Sequence, residues 1–565
     1  MVTAVIIRLP VDAQLPSMMS LPTSVSRTAM VAAAAAAGLG VAMGCMRATA
    51  SAEGTALGQL ATPPKLLVFI TVDQLRGDYP SRFGADLKSG LKRLTQRGAW
   101  FTYAFQDHAI TETAPGHASP LSGRFPRSTG ITSNSVGVVD PNFHLLVGLP
   151  NEVGASPLRF RGTTLYDWLV AKDKRARALS VSMKDRGAIL PIGLAKQDVY
   201  WYSAGGSFTT SDYYRDSLPT WVQEFNARRV PHSYAGRAWT LSRDSTVYRE
   251  PDAVEYENRG RSNVFPHWFG EDSAQAAGAI RTSPTMDSIT ALFALEGLRR
   301  TGIGRGPQTD VMAVSFSASD YVGHSYGPDS REVHENFLRL DETIGWFLDS
   351  LYRQRDSASI VIVLTGDHGV SPIPELARER GEATGDQGLR VSLREQVAAV
   401  RAALQATGAD PAAFLYDGEL VGINRAAVAA AKLNADSILG AFAVAARQVS
   451  GVARVDRMAA IRRADFAMDP VARRWSHQIP DNIGVELVIT LTKYSVWSGT
   501  ITATHGLPYD LDASVPIIFY GAGVKPGRYA LFARTVDIAP TLAAILRVKP
   551  LEKLDGVMLV DAIVR

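Results

Sequence analysis

The sequence predicts a doubly wound α/β fold, a mostly parallel sheet sandwiched by helices, on three observations. Its short apolar runs are continuous rather than alternating, as strands buried on both faces require. Helical patterns lie between those runs, the order that builds a parallel sheet. Aspartates and histidines fall just after several of the runs, where ligands gather in such sheets.

Taken in order, residues 1–52 read as a signal segment. An Ala-rich apolar run follows Arg27 and ends near Met46, the length of a signal-peptide core and short for a membrane span. Ala50-Ser51-Ala52 supplies the small residues that a signal peptidase reads. The stretch ahead of Arg27 is long for a leader, which makes Met18 or Met19 a candidate start. Cys45, the only cysteine, has Ala42 three places before it, a poor lipoprotein box. Cleavage after Ala52 is therefore favoured, with acylation of Cys45 as the alternative. The expected location is outside the cytoplasm, periplasmic or secreted. Past residue 53 no apolar run reaches the length of a span.

The remaining 53–565 reads as one catalytic domain with two interruptions. Strands are expected at 65–72, 178–181, 311–316, 359–364 and 515–520, and helices at 86–96, 286–299 and 334–351. Residues 200–272 are rich in Tyr, Trp, Arg and Gly with little periodicity, and read as a loop-rich lid. Residues 375–461 read as an inserted α-β-β-α-β unit. In it Ser392 and Glu395 form a capping box ahead of a helix, Asp417-Gly418 turns between two strands, and a second helix starts at Asp436.

Composition narrows the function. The apolar fraction of 46% and charged fraction of 20% suit a globular enzyme and exclude wholesale disorder. A net charge of +4, with only scattered pairs such as Arg228-Arg229 and Arg473-Arg474, lacks the basic stripe of a nucleic-acid binder.

Six residues carry the case for a metal centre. Counting the runs in chain order, Asp73 follows the first; Asp320 follows the third, at 311–316, with His324 four residues on. Asp367 and His368 follow 359–364 in Thr-Gly-Asp-His-Gly, and His505 stands in Thr-His-Gly ahead of the last run. Six nitrogen and oxygen ligands at one sheet edge suffice for two Zn2+ ions with three protein ligands each, leaving positions open for catalysis. Such ligands also accept other divalent transition metals. His108, His144, His232, His267, His334 and His477 lie in loops or helices without evident partners, and His117 reads as structural support.

A nucleophile stands nearby in sequence. Thr113, in Thr-Glu-Thr-Ala-Pro-Gly-His-Ala, reads as the N-cap of a helix, where free N–H groups favour a phosphate. A neutral threonine needs a metal to become nucleophilic, and the six ligands would supply one. Lys184 and Arg186, two apart in a segment read as extended, would point the same way at a phosphoryl group. Asn134 could donate a neutral hydrogen bond to the same group.

These residues resemble the alkaline phosphatase superfamily. Thr-Ala-Pro-Gly-His resembles the nucleophile motif shared with type I phosphodiesterases and nucleotide pyrophosphatases, and Lys-Asp-Arg-Gly at 184–187 resembles the pair that marks its monoesterases. The spacings Asp73 to Thr113, Thr113 to Asn134 and Asp320 to Asp367 resemble those of the bacterial threonine-nucleophile branch. The resemblance implies one zinc on Asp320, His324 and His505 and a second on Asp73, Asp367, His368 and Thr113. It further implies hydrolysis of small phosphate monoesters through a phosphothreonine intermediate. Hydrolysis of diesters at the same site is the nearest rival, and a non-catalytic module that sequesters metal or phosphate is a third reading. A sulfatase is disfavoured, since its matured nucleophile is a Cys or Ser.

Overall fold

The computed structural model describes residues 62–564 apart from 482, 500 and 501. The expected signal segment, with Met18, Met19, Cys45 and Ala52, lies outside the described residues.

Among the described residues, nine strands form the central sheet: β1 Leu66–Val72, β2 Ala99–Phe105, β3 Ala178–Ser182, β4 Asp198–Tyr202, β5 Phe208–Thr209, β6 Asp310–Phe316, β7 Ile360–Gly366, β8 Ile517–Gly521 and β9 Gly527–Arg534. Their order is β9-β2-β8-β7-β1-β6-β3-β4-β5. Neighbours pair in parallel except at β8, which runs against β2 and β7, and at β5 against β4. The 515–520 run is thus antiparallel, contrary to the expectation of a parallel strand. A continuous apolar run reports burial of both faces and carries no information on direction.

The sheet is a true sandwich. Leu66, Val68, Ile70 and Val72 of β1 pack on one face with the helices Thr285–Thr301 and Arg331–Gln354. Leu67 and Phe69 face the other way, onto Leu165–Lys172 and Ile538–Leu546. Every β1 side chain is buried, so the alternation of the pleat leaves no trace in the sequence.

Helix boundaries shift for local reasons. The helix expected at 86–96 begins at Gly90 because Asp341 accepts the N–H groups of Lys88, Ser89 and Lys92, fixing the preceding turn. The capping box at Ser392 is not formed. That helix starts at Arg394, one residue late for Glu395 to reach back, and Ser392 Oγ accepts the Arg394 N–H instead.

Residues 198–209, at the start of the aromatic stretch, add β4 and β5 to the sheet edge. Its aromatics pack inward: Phe208, Trp221 and Phe225 surround Phe293. Further on, an antiparallel four-stranded sheet is ordered Phe414–Asp417, Leu420–Ile423, Val485–Leu491, Val452–Arg457. Its third strand comes from beyond residue 461.

Candidate metal centre and active site

Strand register places the functional side chains. Val72 pairs with both Phe316 and Gly366, so β1, β6 and β7 end level. Asp73, Ser317 and Asp367 therefore leave the sheet side by side. The chain after β6 turns into the helix Ala318–Tyr326, which carries Asp320 and His324 one turn apart. His505 arrives from the loop before β8.

The six predicted ligands come together as two groups. Asp73, Asp367 and His368 form an inner group, all buried; Asp320, His324 and His505 form an outer group whose histidines are partly exposed. Within each, the ligand atoms lie within 4.8 Å of one another. The rings of His368 and His505 stack at 3.5 Å between centroids and join the groups.

The donor set fits a cation. Nδ1 of His324, His368 and His505 each lies within 2.9 Å of a backbone carbonyl, of Ala503, Gly369 and Thr111 respectively. A carbonyl only accepts, so each Nδ1 carries a proton and it is Nε2 that each ring turns toward the ligand groups. The Nε2 atoms of His324 and His505 face one another at 3.2 Å, an arrangement that calls for a proton or a cation between them. Asp73 Oδ1 and Asp367 Oδ2 are buried without a hydrogen bond, while Asp73 Oδ2 meets the Lys184 ammonium. Burying such acceptors is costly unless a positive charge answers them.

The electrostatics tell the same story. Burial and the neighbouring Asp73 push the Asp367 carboxyl well above the usual carboxylate range. Burial and His505 hold His368 well below the ordinary imidazole value. Burial opposes ionisation of Asp320 as well, but His324 and Lys184 outweigh it and draw that carboxyl well below the usual range.

Thr113 is buried beside the inner group. Its Oγ1 lies 3.5 Å from His368 Nε2 and 3.4 Å from Lys184 Nζ. It is the first residue of the helix Thr113–Ser122, with Glu112 at the N-cap, one place on from the expected capping position. Gly116 lets this helix approach closely: a Cβ there would fall 2.1 Å from the Asp367 carbonyl oxygen. His117 does act as a prop. Burial keeps it neutral, with a pKa of about 4, and its ring bridges the Thr113 carbonyl and Ser315 Oγ on β6. Asn134 accepts the Ala114 N–H at 2.9 Å through Oδ1, while its own N–H donates to Glu112 at 2.6 Å.

Lys184 and Arg186 do not stand in an extended segment. β3 ends at Ser182, Lys184 caps the short helix Asp185–Ile189, and Arg186 lies in its first turn. Lys184 places its ammonium 2.7 Å from Asp73 Oδ2 and 2.5 Å from Asp320 Oδ2, bridging the two groups. Burial works against that charge, but the two carboxylates outweigh it and raise the pKa. Arg186 is raised too, its burial outweighed by Asp185 and by Asp73 and Asp320 nearby.

Sequence reasoning missed three participants. Gln74 bonds to ligands of both groups, and Glu112 holds the Asn134 loop. Gln478 accepts the Ile110 N–H and donates to the Thr132 carbonyl, fixing the loops that lead to Thr113 and Asn134. None of the three left a local signal in the sequence. Several histidines expected to lack partners have them: His108 meets Gln478, His477 the Asp107 carbonyl, His267 Glu332, His334 Glu250 and His144 Asp212. None of these five is in either ligand group.

The sequence profile of the type I phosphodiesterase / nucleotide pyrophosphatase family matches residues 67–434. The alkaline phosphatase PhoV of Synechococcus elongatus is 30% identical over 88% of this chain and 93% of its own. This chain belongs to the alkaline phosphatase superfamily. Within the superfamily it is also 30% identical to the alkaline phosphatase PhoK of a Sphingomonas species, over 88% of this chain and 91% of that one. The solved structure of alkaline phosphatase PafA superposes with a TM-score of 0.82 at 26% identity, covering 89% of this chain and all of PafA. A PafA variant solved with a threonine, an asparagine, a lysine and an arginine replaced matches equally well.

Proposed function

We propose that this chain is a metal-dependent phosphatase that hydrolyses small phosphate monoesters through Thr113, with two zinc ions. The observation that carries the reading is the Thr113 hydroxyl lying between the inner ligand group and the lysine that bridges it to the outer one. Asp73, Asp367 and His368 would hold one ion and Asp320, His324 and His505 the other, supplying Lewis acidity and positive charge at the phosphoryl group.

The residues of the chain do the rest. Thr113 Oγ1 gives up its hydroxyl proton to solvent and attacks phosphorus in line, forming the Oγ–P bond as the P–O bond to the alcohol breaks. The alcohol departs on the outer side, where His324 and His505 are partly exposed, and takes up a proton from solvent. Lys184, Arg186 and Asn134 bind the equatorial oxygens; Asn134 Oδ1 is engaged by Ala114, so its amide nitrogen is the donor. Water then attacks phosphorus, breaks the Oγ–P bond and releases inorganic phosphate with Thr113 restored. The residues replaced in the PafA variant support the roles: a threonine and an asparagine 21 apart, and a lysine and an arginine two apart, as Thr113 and Asn134, and Lys184 and Arg186, are here.

Two cations at the phosphoryl pocket suit the dianion of a monoester better than the monoanion of a diester. The family profile favours diester hydrolysis as the second reading. Paired aryl monoester and diester substrates decide between them, assayed with and without added zinc beside Thr113→Ala. Zinc-dependent turnover that prefers the monoester and disappears in the variant is expected. Diester preference would transfer the site to the second reading, and zinc binding without turnover would leave a sequestering module. The Ala-rich segment after Arg27 supports export of the chain. Among the described residues, no helix is long and apolar enough to cross a membrane.

A further inference from the structure

We propose that Gln74 is a positioning residue that ties the two ligand groups together and sets the metal affinity of the outer one; this rests on the reading of both groups as cation sites. Gln74 directly follows Asp73 and is 1% exposed. Its φ of +61° lies in the left-handed region that residues other than glycine avoid. Strain of that kind persists where the surroundings over-determine it, and it concentrates at functional sites.

The surroundings here are the ligands themselves. The Gln74 backbone N–H donates to Asp367 Oδ1 at 2.9 Å, and its side-chain Nε2 donates to Asp320 Oδ1 at 3.0 Å. One residue thus grips one carboxylate of each group, with its backbone toward the inner and its side chain toward the outer. The helix Ala318–Tyr326 is notched to receive the amide: a Cβ on Gly323, between Asp320 and His324, would fall 1.7 Å from Gln74 Oε1.

The bonds orient the ligands. Asp367 Oδ1 accepts from both Gln74 and His368 N–H groups, which leaves Oδ2 as its free donor atom. On Asp320 the amide fixes the carboxylate plane while Oδ1 lies 3.2 Å from His324 Nε2 and 3.5 Å from His505 Nε2. An amide suits this task because it donates without ionising, so it orients the carboxylate without competing for the cation.

This division of labour supplies its own control. Replacement by alanine or glycine keeps the backbone bond to Asp367 but loses the side-chain bond to Asp320. The metal-free full-length protein is titrated with zinc by calorimetry and metal analysis, as wild type, Gln74→Ala and Gln74→Gly. Wild type is expected to bind two ions. In both variants the outer ion should bind about 10–100-fold more weakly, the range of lost outer-sphere partners, with the inner affinity unchanged. Turnover should return at excess zinc. Because glycine relieves the left-handed strain, metal-free Gln74→Gly should melt above Gln74→Ala while losing the same zinc affinity.

Equal zinc affinities in wild type and both variants would overturn the proposal. So would parallel weakening of both sites, which would mark a general loosening of the fold. A wild-type chain that binds fewer than two ions would overturn the two-site reading itself, and this proposal with it.

Discussion

The inner and outer ligand groups use the same chemistry in opposite surroundings. The inner group comes from residues directly after β1 and β7 and is wholly buried, while the outer group joins one helical turn to a loop 181 residues away from His324 and is partly open. In the inner group two carboxylates oppose each other out of water, and Asp367 is pushed up as a result. In the outer group Asp320 is held ionised by His324 and Lys184. The difference suits the division of roles proposed above. A buried, over-charged group would hold a cation tightly against Thr113; an open group could meet a departing alcohol and an incoming water.

The largest effect expected is that of Thr113→Ala. Monoester turnover should fall by about 10⁴-fold or more, as for other nucleophile deletions, while both groups still bind zinc. Loss of zinc together with activity would break the separation of nucleophile from cation sites. Arg186→Ala comes next, with a loss of roughly 10²–10³ in monoester kcat/KM and a smaller loss on a diester of matched leaving group. A diester loss of equal size would remove its role in reading the dianion.

Ligand replacements sharpen the comparison further. Asp367→Asn should weaken inner zinc binding beyond the ~100-fold range of outer-sphere changes. Its effect on stability should have the opposite sign. A carboxyl whose pKa is raised on folding destabilises the metal-free fold once the pH exceeds its unfolded value, so metal-free Asp367→Asn should melt above wild type at pH 9. With zinc present the order should reverse. His324→Ala, in the open group, should show no such reversal, and thermal melts of both variants with and without zinc check this.

The smallest effect concerns the anchor beneath the nucleophile loop. Asp107 is buried against Arg473 and Arg474, and burial is outweighed by His477 and Arg473 so that its carboxyl stays below the usual range. A depressed carboxyl stabilises the fold fully above its unfolded pKa of about 4 and loses that contribution as pH falls through its folded value. Asp107→Asn should therefore cost about 1–3 kcal/mol in urea unfolding at pH 7 and much less at pH 3. An equal cost at both pH values would contradict the ionic account.

The sequence makes the sheet legible where burial is complete. Short continuous runs such as 65–72 read as strands covered on both faces, and a residue placed immediately after one is fixed by the register. That is why spacing and family likeness could bring the six candidate ligands together before the structure grouped them. β2 and β9 escaped because Ala99–Phe105 and Gly527–Arg534 each have partly exposed residues and break the apolar pattern. The direction of β8 was illegible because apolarity is blind to polarity of the chain. Gln74, Glu112 and Gln478 were illegible for another reason. Each works through hydrogen bonds to residues far off in sequence or through an unusual backbone angle, and neither leaves a local compositional trace.

The central claim is a covalent step at Thr113. Zinc-loaded enzyme mixed with a monoester, quenched in acid within a turnover and digested for mass spectrometry tests it directly. The account predicts phosphate on the peptide containing Thr113, absent in Thr113→Ala. Full turnover with no phosphorylated Thr113 at any quench time, and with phosphate release undiminished in that variant, would contradict it.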